Sequence, residues 1–394
     1  MIILVRYGEI HLKGQNRPFF ERLLLGELEK AVKPFGASAK RGDGRYYVTG
    51  FEEADAPDVL SAAAKVFGVH SVIPAYEAEK DIDAITAEVF RQMDEYIEEN
   101  GHKTFKVDTK RSDKRFPMKS NEISMEIGGR LLEHDPALKV DIHNPEMRVF
   151  IEIREKSAYV YTRVIPGAGG MPIGSNGKAM LLISGGIDSP VAGYMTAKRG
   201  VRLSAVHYYS FPYTSERARD KVIELARLLA EYVGEIELHL VHFTDIQMAI
   251  YEKCPHQHLT LIMRRFMMRI ADMLAHKNGM QAIVTGESIG QVASQTIESL
   301  AVTDAVANMP VFRPLIGMDK IEIIERAQQI GTYETSILPY EDCCTVFVPK
   351  HPTTRPEIKR IAESEAVLDI DALIEDALGK SSTIIVGRNG VKEN

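Results

Sequence analysis

The sequence predicts an α/β protein, with a doubly wound C-terminal domain preceded by two small α+β domains. Beyond residue 178, apolar runs of strand length alternate with amphipathic helical stretches: strands at 179–183, 202–208, 235–242 and 282–285, helices opening at Pro190 and Glu216. Upstream, strands and helices fall into two short groups, the first alternating from residue 2 to about 76, and these read as small α+β units. Between the two regions lies Pro166-Gly-Ala-Gly-Gly-Met-Pro-Ile-Gly-Ser175, whose glycine and proline density marks a linker.

Residues 2–7 read as a first strand, because the opening apolar run is short and Arg6 and Glu9 interrupt it, unlike a secretion leader. A helix at 19–32, a strand at 45–49, a helix at 56–66 and a strand at 69–76 complete the first group. The second has a helix at 82–98, a strand at 104–110, a helix at 122–132 and an antiparallel pair at 148–155 and 158–164. The expected division is 1–59, 60–165, a linker at 166–177, and 178–394.

A chain of 394 residues exceeds what one hydrophobic core usually serves, in keeping with several domains. The net charge of -7 excludes a protein that coats nucleic acid through its global field, so any RNA binding must come from a local basic patch. Such a patch spans 101–120: Lys103, Lys106, Lys110, Arg111, Lys114, Arg115 and Lys119 stand against only Asp108 and Asp113. Phe105 and Phe116 interleave with them, to stack on bases or to pack beneath the lysines; the alternative is a solvated charged loop. Three cysteines do not make a disulfide framework, and free thiols suit a cytoplasmic location. No apolar run approaches the length of a membrane span.

The segment Ala179-Met-Leu-Leu-Ile-Ser-Gly-Gly-Ile-Asp-Ser-Pro190 runs from a strand into a glycine turn and a helix. Gly185 and Gly186 let backbone N–H groups approach an anion, and the helix start adds its positive end. Ser184 and Ser189 offer hydroxyls, while Asp188 facing a polyanion is best understood as holding a magnesium ion. The stretch Asn176-Gly-Lys-Ala179 is no Walker A loop, because Pro172 replaces the first glycine and Ala179 the hydroxyl ligand. Ser184-Gly-Gly-Ile-Asp-Ser189 matches the PP-loop motif of ATP pyrophosphatases, which activate a substrate oxygen with ATP; synthetases that use ammonia share it.

In Tyr340-Glu-Asp-Cys-Cys-Thr-Val-Phe-Val-Pro349 the adjacent Cys343 and Cys344 sit in turn-like sequence, which favours a reactive pair over a structural one. Such thiols can carry sulfur or resolve a persulfide. Zinc at Cys343, Cys344, Cys254, His256 and His258 is disfavoured, because the spacing matches no familiar tetrahedral set.

With that loop, the PP-loop and Thr285-Gly-Glu-Ser-Ile-Gly-Gln-Val-Ala-Ser-Gln-Thr296 together, the chain resembles the tRNA 4-thiouridine synthase (tRNA sulfurtransferase, ThiI) family along essentially its whole length, in the short form without a rhodanese domain. The resemblance implies a ferredoxin-like N-terminal domain, a THUMP RNA-binding domain around the basic stretch, and a PP-loop domain. It places ATP against Leu182, Ile183, Ser184, Gly185, Gly186, Ser189, His207, Tyr208, Arg264, Gly286 and Gln295. Asp188, Lys320 and Cys344 are assigned to catalysis, with Cys343 as substitute; a helix-start surface charge is the other reading of Lys320. The implied reaction adenylates O4 of a tRNA uridine, at position 8 in the family, and replaces it with sulfur. Without a rhodanese cysteine the sulfur is expected from a cysteine desulfurase, which weakens the family's link to thiamine synthesis. Family members also tend to be homodimers. The rival readings are an ammonia-using PP-loop synthetase or amidotransferase, which needs neither Cys344 nor the basic stretch, and a non-catalytic tRNA-binding protein.

Overall fold

The computed structural model describes residues 1–101, 103–340 and 352–392. The chain divides into two compact units, 1–170 and 171–394.

The first unit opens with β1 (Ile2–Tyr7), α1 (Arg17–Val32), β2 (Ser38–Gly42), β3 (Arg45–Thr49), α2 (Ala56–Ala64) and β4 (Val69–Ala78), a ferredoxin-like β-α-β-β-α-β order. Strand β2 is polar and mostly exposed, so its hydrophobic pattern carries no signal; the signal is the Asp43-Gly44 turn, with φ of 48° and 73°. Next come α3 (Ile82–Asn100), β5 (Thr104–Arg111), α4 (Ser120–His134), β6 (Lys139–Val140), β7 (Met147–Ile153), β8 (Ala158–Tyr161) and β9 (Ile165–Pro166). All join one sheet of order β2-β3-β1-β4-β8-β7-β5-β6, with β9 on β4. Strand β4 serves both halves, pairing with β1 up to Ala75 and with β8 from Tyr76 to Ala78. The expected division after residue 59 falls inside α2.

Helices α3 and α4 present Ile85, Val89, Met93, Ile123, Ile127 and Leu131 at four-residue spacing to β5 and β7. Each such buried side chain contributes about 1.5–3 kcal/mol. Asp81 starts α3 by accepting from the amides of Asp83 and Ala84. Phe105 and Phe116, 1% and 5% exposed, belong to this core; they pack beneath the basic surface and do not face solvent for stacking.

The glycine- and proline-rich stretch is bonded at both ends. Gly167, Ala168 and Gly169 donate to His70, Ala64 and Val69. A Cβ at Gly167 would lie 2.3 Å from the Val69 carbonyl oxygen, so only glycine fits. Met171 donates to Lys198, and Gly174 and Asn176 to Gly200, in the second unit.

That unit contains β10 (Lys178–Leu182), α5 (Asp188–Ala197), β11 (Arg202–Tyr209), α6 (Glu216–Val233), β12 (Glu235–His242), α7 (Thr244–Lys253), α8 (Leu259–Lys277) and β13 (Ala282–Val284). It continues with α9 (Ile297–Asp304), β14 (Val311–Phe312), α10 (Lys320–Gln329), α11 (Tyr333–Ser336), α12 (Ile358–Glu365), α13 (Ile370–Gly379), β15 (Ser382–Gly387) and β16 (Gly390–Lys392). The sheet order is β14-β13-β10-β11-β12-β15-β16, parallel from β14 to β12. The chain leaves β10 toward β11 on one side and returns as β13 on the other, so a topological switch point lies at the carboxyl ends of β10 and β13. Helix α8 buries Ile262, Met263, Phe266, Ile270 and Leu274 in the main core. Among the described residues, no helix is long and apolar enough to cross a membrane.

Candidate active site

A cavity of about 290 Å³ opens at that switch point. Its wall includes Leu182, Ile183, Ser184 and Ser189 from the β10–α5 turn, and His207 and Tyr208 from β11. Arg264, Met267 and Met268 come from α8, and Gly286, Glu287 and Gln295 from the segment after β13. Nine of the eleven residues expected to hold nucleotide are therefore brought together; Gly185 and Gly186 lie in the same turn without lining the wall.

The turn is braced from within. The Ser184 amide donates to Ser189 Oγ at 2.9 Å, and the Gly186 amide to Ser184 Oγ at 3.3 Å. The two hydroxyls thus accept from the loop's own amides and brace the turn. Gly286 is required by contact: a Cβ there would lie 2.8 Å from the Ser189 nitrogen and 2.9 Å from the Asp188 carbonyl carbon. His207, 4% exposed, places Nδ1 3.1 Å from the Ile183 carbonyl oxygen, and Tyr208 donates to the Met267 carbonyl at 2.6 Å. Both polar groups face protein backbone, which fixes their rings against the wall.

Asp188 is the first residue of α5, and two elements distant in sequence converge on it. Lys320 Nζ lies 2.6 Å from Oδ1, and Gln291 Nε2 donates to Oδ2 at 3.2 Å. Lys320 opens α10, where Asp319 and Glu322 form a capping box, so the helix start that could have left it a surface charge turns it onto Asp188. Gln291 lies in the 285–296 segment that carries the resemblance, but nothing in the sequence assigns it a contact with Asp188.

Arg264 and Arg265 are adjacent on α8 and point to different places. Arg265 forms a two-pronged pair with Glu365 at 2.9 and 2.6 Å in the core, while Arg264 reaches the cavity and bonds Glu287 and Ser294. Glu287, 4% exposed, also accepts from Thr285 at 2.9 Å and Arg313 at 2.7 Å. Burial would raise its carboxyl, but Arg264 and Arg313 outweigh that and hold it below the usual glutamate range. Glu287 and Arg313 likewise carry no role from sequence, although Glu287 lies in the 285–296 segment and just past a strand end, where a carboxylate draws attention.

Of the seven basic residues expected to meet RNA, four are already engaged. Lys103 faces Glu146, Lys106 faces Asp108, Arg115 binds Asp113, and Arg111 donates to the carbonyls of Phe116 and Met118. Lys110, Lys114 and Lys119 are exposed. Lys106 and Lys110 border a groove of about 780 Å³ with Arg6, Asn121, Phe150 and Tyr161.

Cys343 and Cys344 lie outside the described residues. Cys254 is buried with its thiol directed at the Ser364 carbonyl, and His258 bonds the Ser364 hydroxyl at 2.9 Å. No group of three or more metal-ligating side chains occurs among the described residues.

Sheet order, switch-point cavity and glycine turn define an α/β protein of the PP-loop ATP pyrophosphatase class. The family model described as "Thiamine biosynthesis protein (ThiI)" matches residues 174–370, the THUMP domain model matches 79–163, and the ThiI ferredoxin-like domain model matches 2–72. A protein of Acetivibrio thermocellus named "Probable tRNA sulfurtransferase" is 54% identical over 98% of this chain and 99% of its own. One of Alkaliphilus metalliredigens with the same name is 51% identical over 96% of each. The crystal structure of a 4-thiouridine synthetase–RNA complex with bound ATP superposes with a TM-score of 0.90 at 36% identity, covering 98% of this chain and 99% of that one. The chain belongs to the ThiI family of tRNA sulfurtransferases.

Proposed function

We propose that this protein uses ATP to replace O4 of a tRNA uridine with sulfur, giving 4-thiouridine. The observation that carries the reading is the convergence of Asp188 and the PP-loop on one cavity, with Lys320 bonded to Asp188. ATP would seat its purine toward Leu182, Tyr208, Met267 and Met268 and its phosphates toward the amides of the 184–189 turn at the start of α5. The uridine O4 attacks the α-phosphorus, pyrophosphate leaves, and O4 becomes part of an AMP leaving group. The terminal sulfur of a cysteine persulfide then attacks C4 and AMP departs with the original oxygen; a second thiol cleaves the S–S bond, leaving the sulfur on the base and a disulfide that an external dithiol reductant returns to thiols.

Lys320 supplies positive charge beside the phosphates as negative charge builds on the leaving pyrophosphate. Gln291 keeps the Asp188 carboxylate turned toward the same place. A magnesium ion arriving with ATP fits a site that offers one partly exposed carboxylate, Asp188, because magnesium commonly takes one or two carboxylates and the substrate's phosphate oxygens. It would supply charge neutralisation there.

The sulfur would come as a persulfide from a cysteine desulfurase through Cys344, or Cys343 in its place. Lys110, Lys114 and Lys119, with the groove bordered by Arg6 and Lys106, form the tRNA-binding face of the first unit. A cytoplasmic homodimer is the setting we expect, which light scattering on the purified chain tests.

Purified protein incubated with unmodified tRNA, ATP, magnesium and a competent cysteine desulfurase should yield 4-thiouridine by nucleoside mass spectrometry, and Cys344→Ser should not. No thiouridine from the native chain, with tRNA bound, contradicts the reading.

A further inference from the structure

A row of alternating charges starts on the cavity wall with Arg264 and Glu287 and continues beyond it to Arg313 and Asp304. Arg313 holds Asp304 with two bonds, at 2.9 and 2.5 Å, and Glu287 with a third at 2.7 Å. Glu287 divides its oxygens, one accepting from Arg264 and the other from Arg313 and Thr285. Around it the two segments are joined along their length. The Thr285 amide donates to Phe312, the Ile289 amide to Ile316, and the Ser288 hydroxyl to Met318. The first segment goes on to Gln291 and the second to Lys320, the two side chains that meet Asp188.

We infer that Glu287 is a positioning residue for the nucleotide: its charge fixes Arg264 on the cavity wall and, through Arg313, anchors the segment that ends in Lys320. This rests on the ATP-binding reading of the cavity. The two arginines depend on Glu287 unequally. Arg313 retains two bonds to Asp304 without it, whereas the bonds from Arg264 to Ser294 go to a carbonyl and a hydroxyl, neither of them charged. Neutralising Glu287 therefore acts chiefly on Arg264, the side chain that meets the ligand, and a buried pair serving stability alone would not move ATP affinity selectively.

The test is titration calorimetry of the full-length protein with ATP and magnesium, beside steady-state thiolation and thermal melting. Glu287→Gln keeps the shape and removes the charge. It should weaken ATP binding about tenfold or more and raise KM for ATP in parallel, with kcat at saturating ATP within about threefold and the melting temperature little changed. Arg313→Met, outside the cavity wall, should lower kcat because it releases the segment carrying Lys320. Equal ATP affinity in native protein and folded Glu287→Gln overturns the inference. If Glu287→Gln does not fold, Arg313→Met decides: loss of kcat supports the anchor, and native kcat and ATP affinity overturn it. A native protein that binds no ATP overturns the functional reading and this inference with it.

Discussion

Positive charge is handled in opposite ways at the cavity of the second unit and at the exposed lysines of the first. Around the cavity of 171–394, Lys320 at the start of α10, Arg313 just past β14 and Arg264 within α8 are each bound to a carboxylate within 3 Å. In 1–170, Lys110, Lys114 and Lys119 extend into solvent above a core that holds Phe105 and Phe116. The first arrangement suits chemistry that depends on placement to a fraction of an ångström; the second suits a polyanion met by charge density. The difference teaches that the basic residues here divide into positioned and solvated sets, and that substitution in each should change a different observable.

The largest effect is expected at Asp188. Asp188→Ala should reduce thiolation about a thousandfold, and Lys320→Ala about a hundredfold or more, both with unchanged tRNA affinity in filter binding. A loss of tRNA binding in either would break the division between the units. Gly286→Ala comes next: its new methyl meets the backbone of Asp188 and Ser189, which cannot yield as a side chain would. About a tenfold or greater rise in KM for ATP is expected, read by thiolation across ATP concentrations.

Changing Lys110, Lys114 and Lys119 together to Ala should weaken tRNA binding and flatten its dependence on salt, by about 0.7–0.9 in log–log slope for each phosphate no longer neutralised. Thiolation at saturating tRNA should keep its ATP dependence. The smallest effect belongs to Cys254, whose thiol burial pushes up. Cys254→Ala should leave thiolation within about twofold, and native Cys254 should resist alkylation until the chain is unfolded.

Much of the second unit was legible because its signals are local. Strand β10 is apolar after Lys178 and β11 is largely so, and the Ser184–Ser189 turn announces a phosphate-sized nest in six residues. The resemblance carried Arg264 and Gln295 to the wall, which periodicity could not, since Arg264 and Arg265 differ only by the 100° between successive helix positions. Partners set by tertiary approach stayed hidden: Glu287 and Arg313 are 26 residues apart, Gln291 and Asp188 103 apart. The hairpin strand β2 escaped because Ser38-Ala-Lys-Arg-Gly42 buries only Ala39 and Gly42 precedes a turn that alone betrays it. Local excess of charge showed where the basic stretch lies and not which lysines are free, because Asp108 and Asp113 within it take Lys106 and Arg115, and Glu146 reaches Lys103 only through the fold.

The central claim is that the cavity activates uridine by joining its O4 to AMP. The most direct measurement uses tRNA carrying 18O at O4 of the target uridine, thiolated by the native protein with ATP, magnesium and a desulfurase, with the released AMP examined by mass spectrometry. The account predicts one 18O in AMP for each 4-thiouridine formed. Unlabelled AMP alongside 4-thiouridine would contradict it.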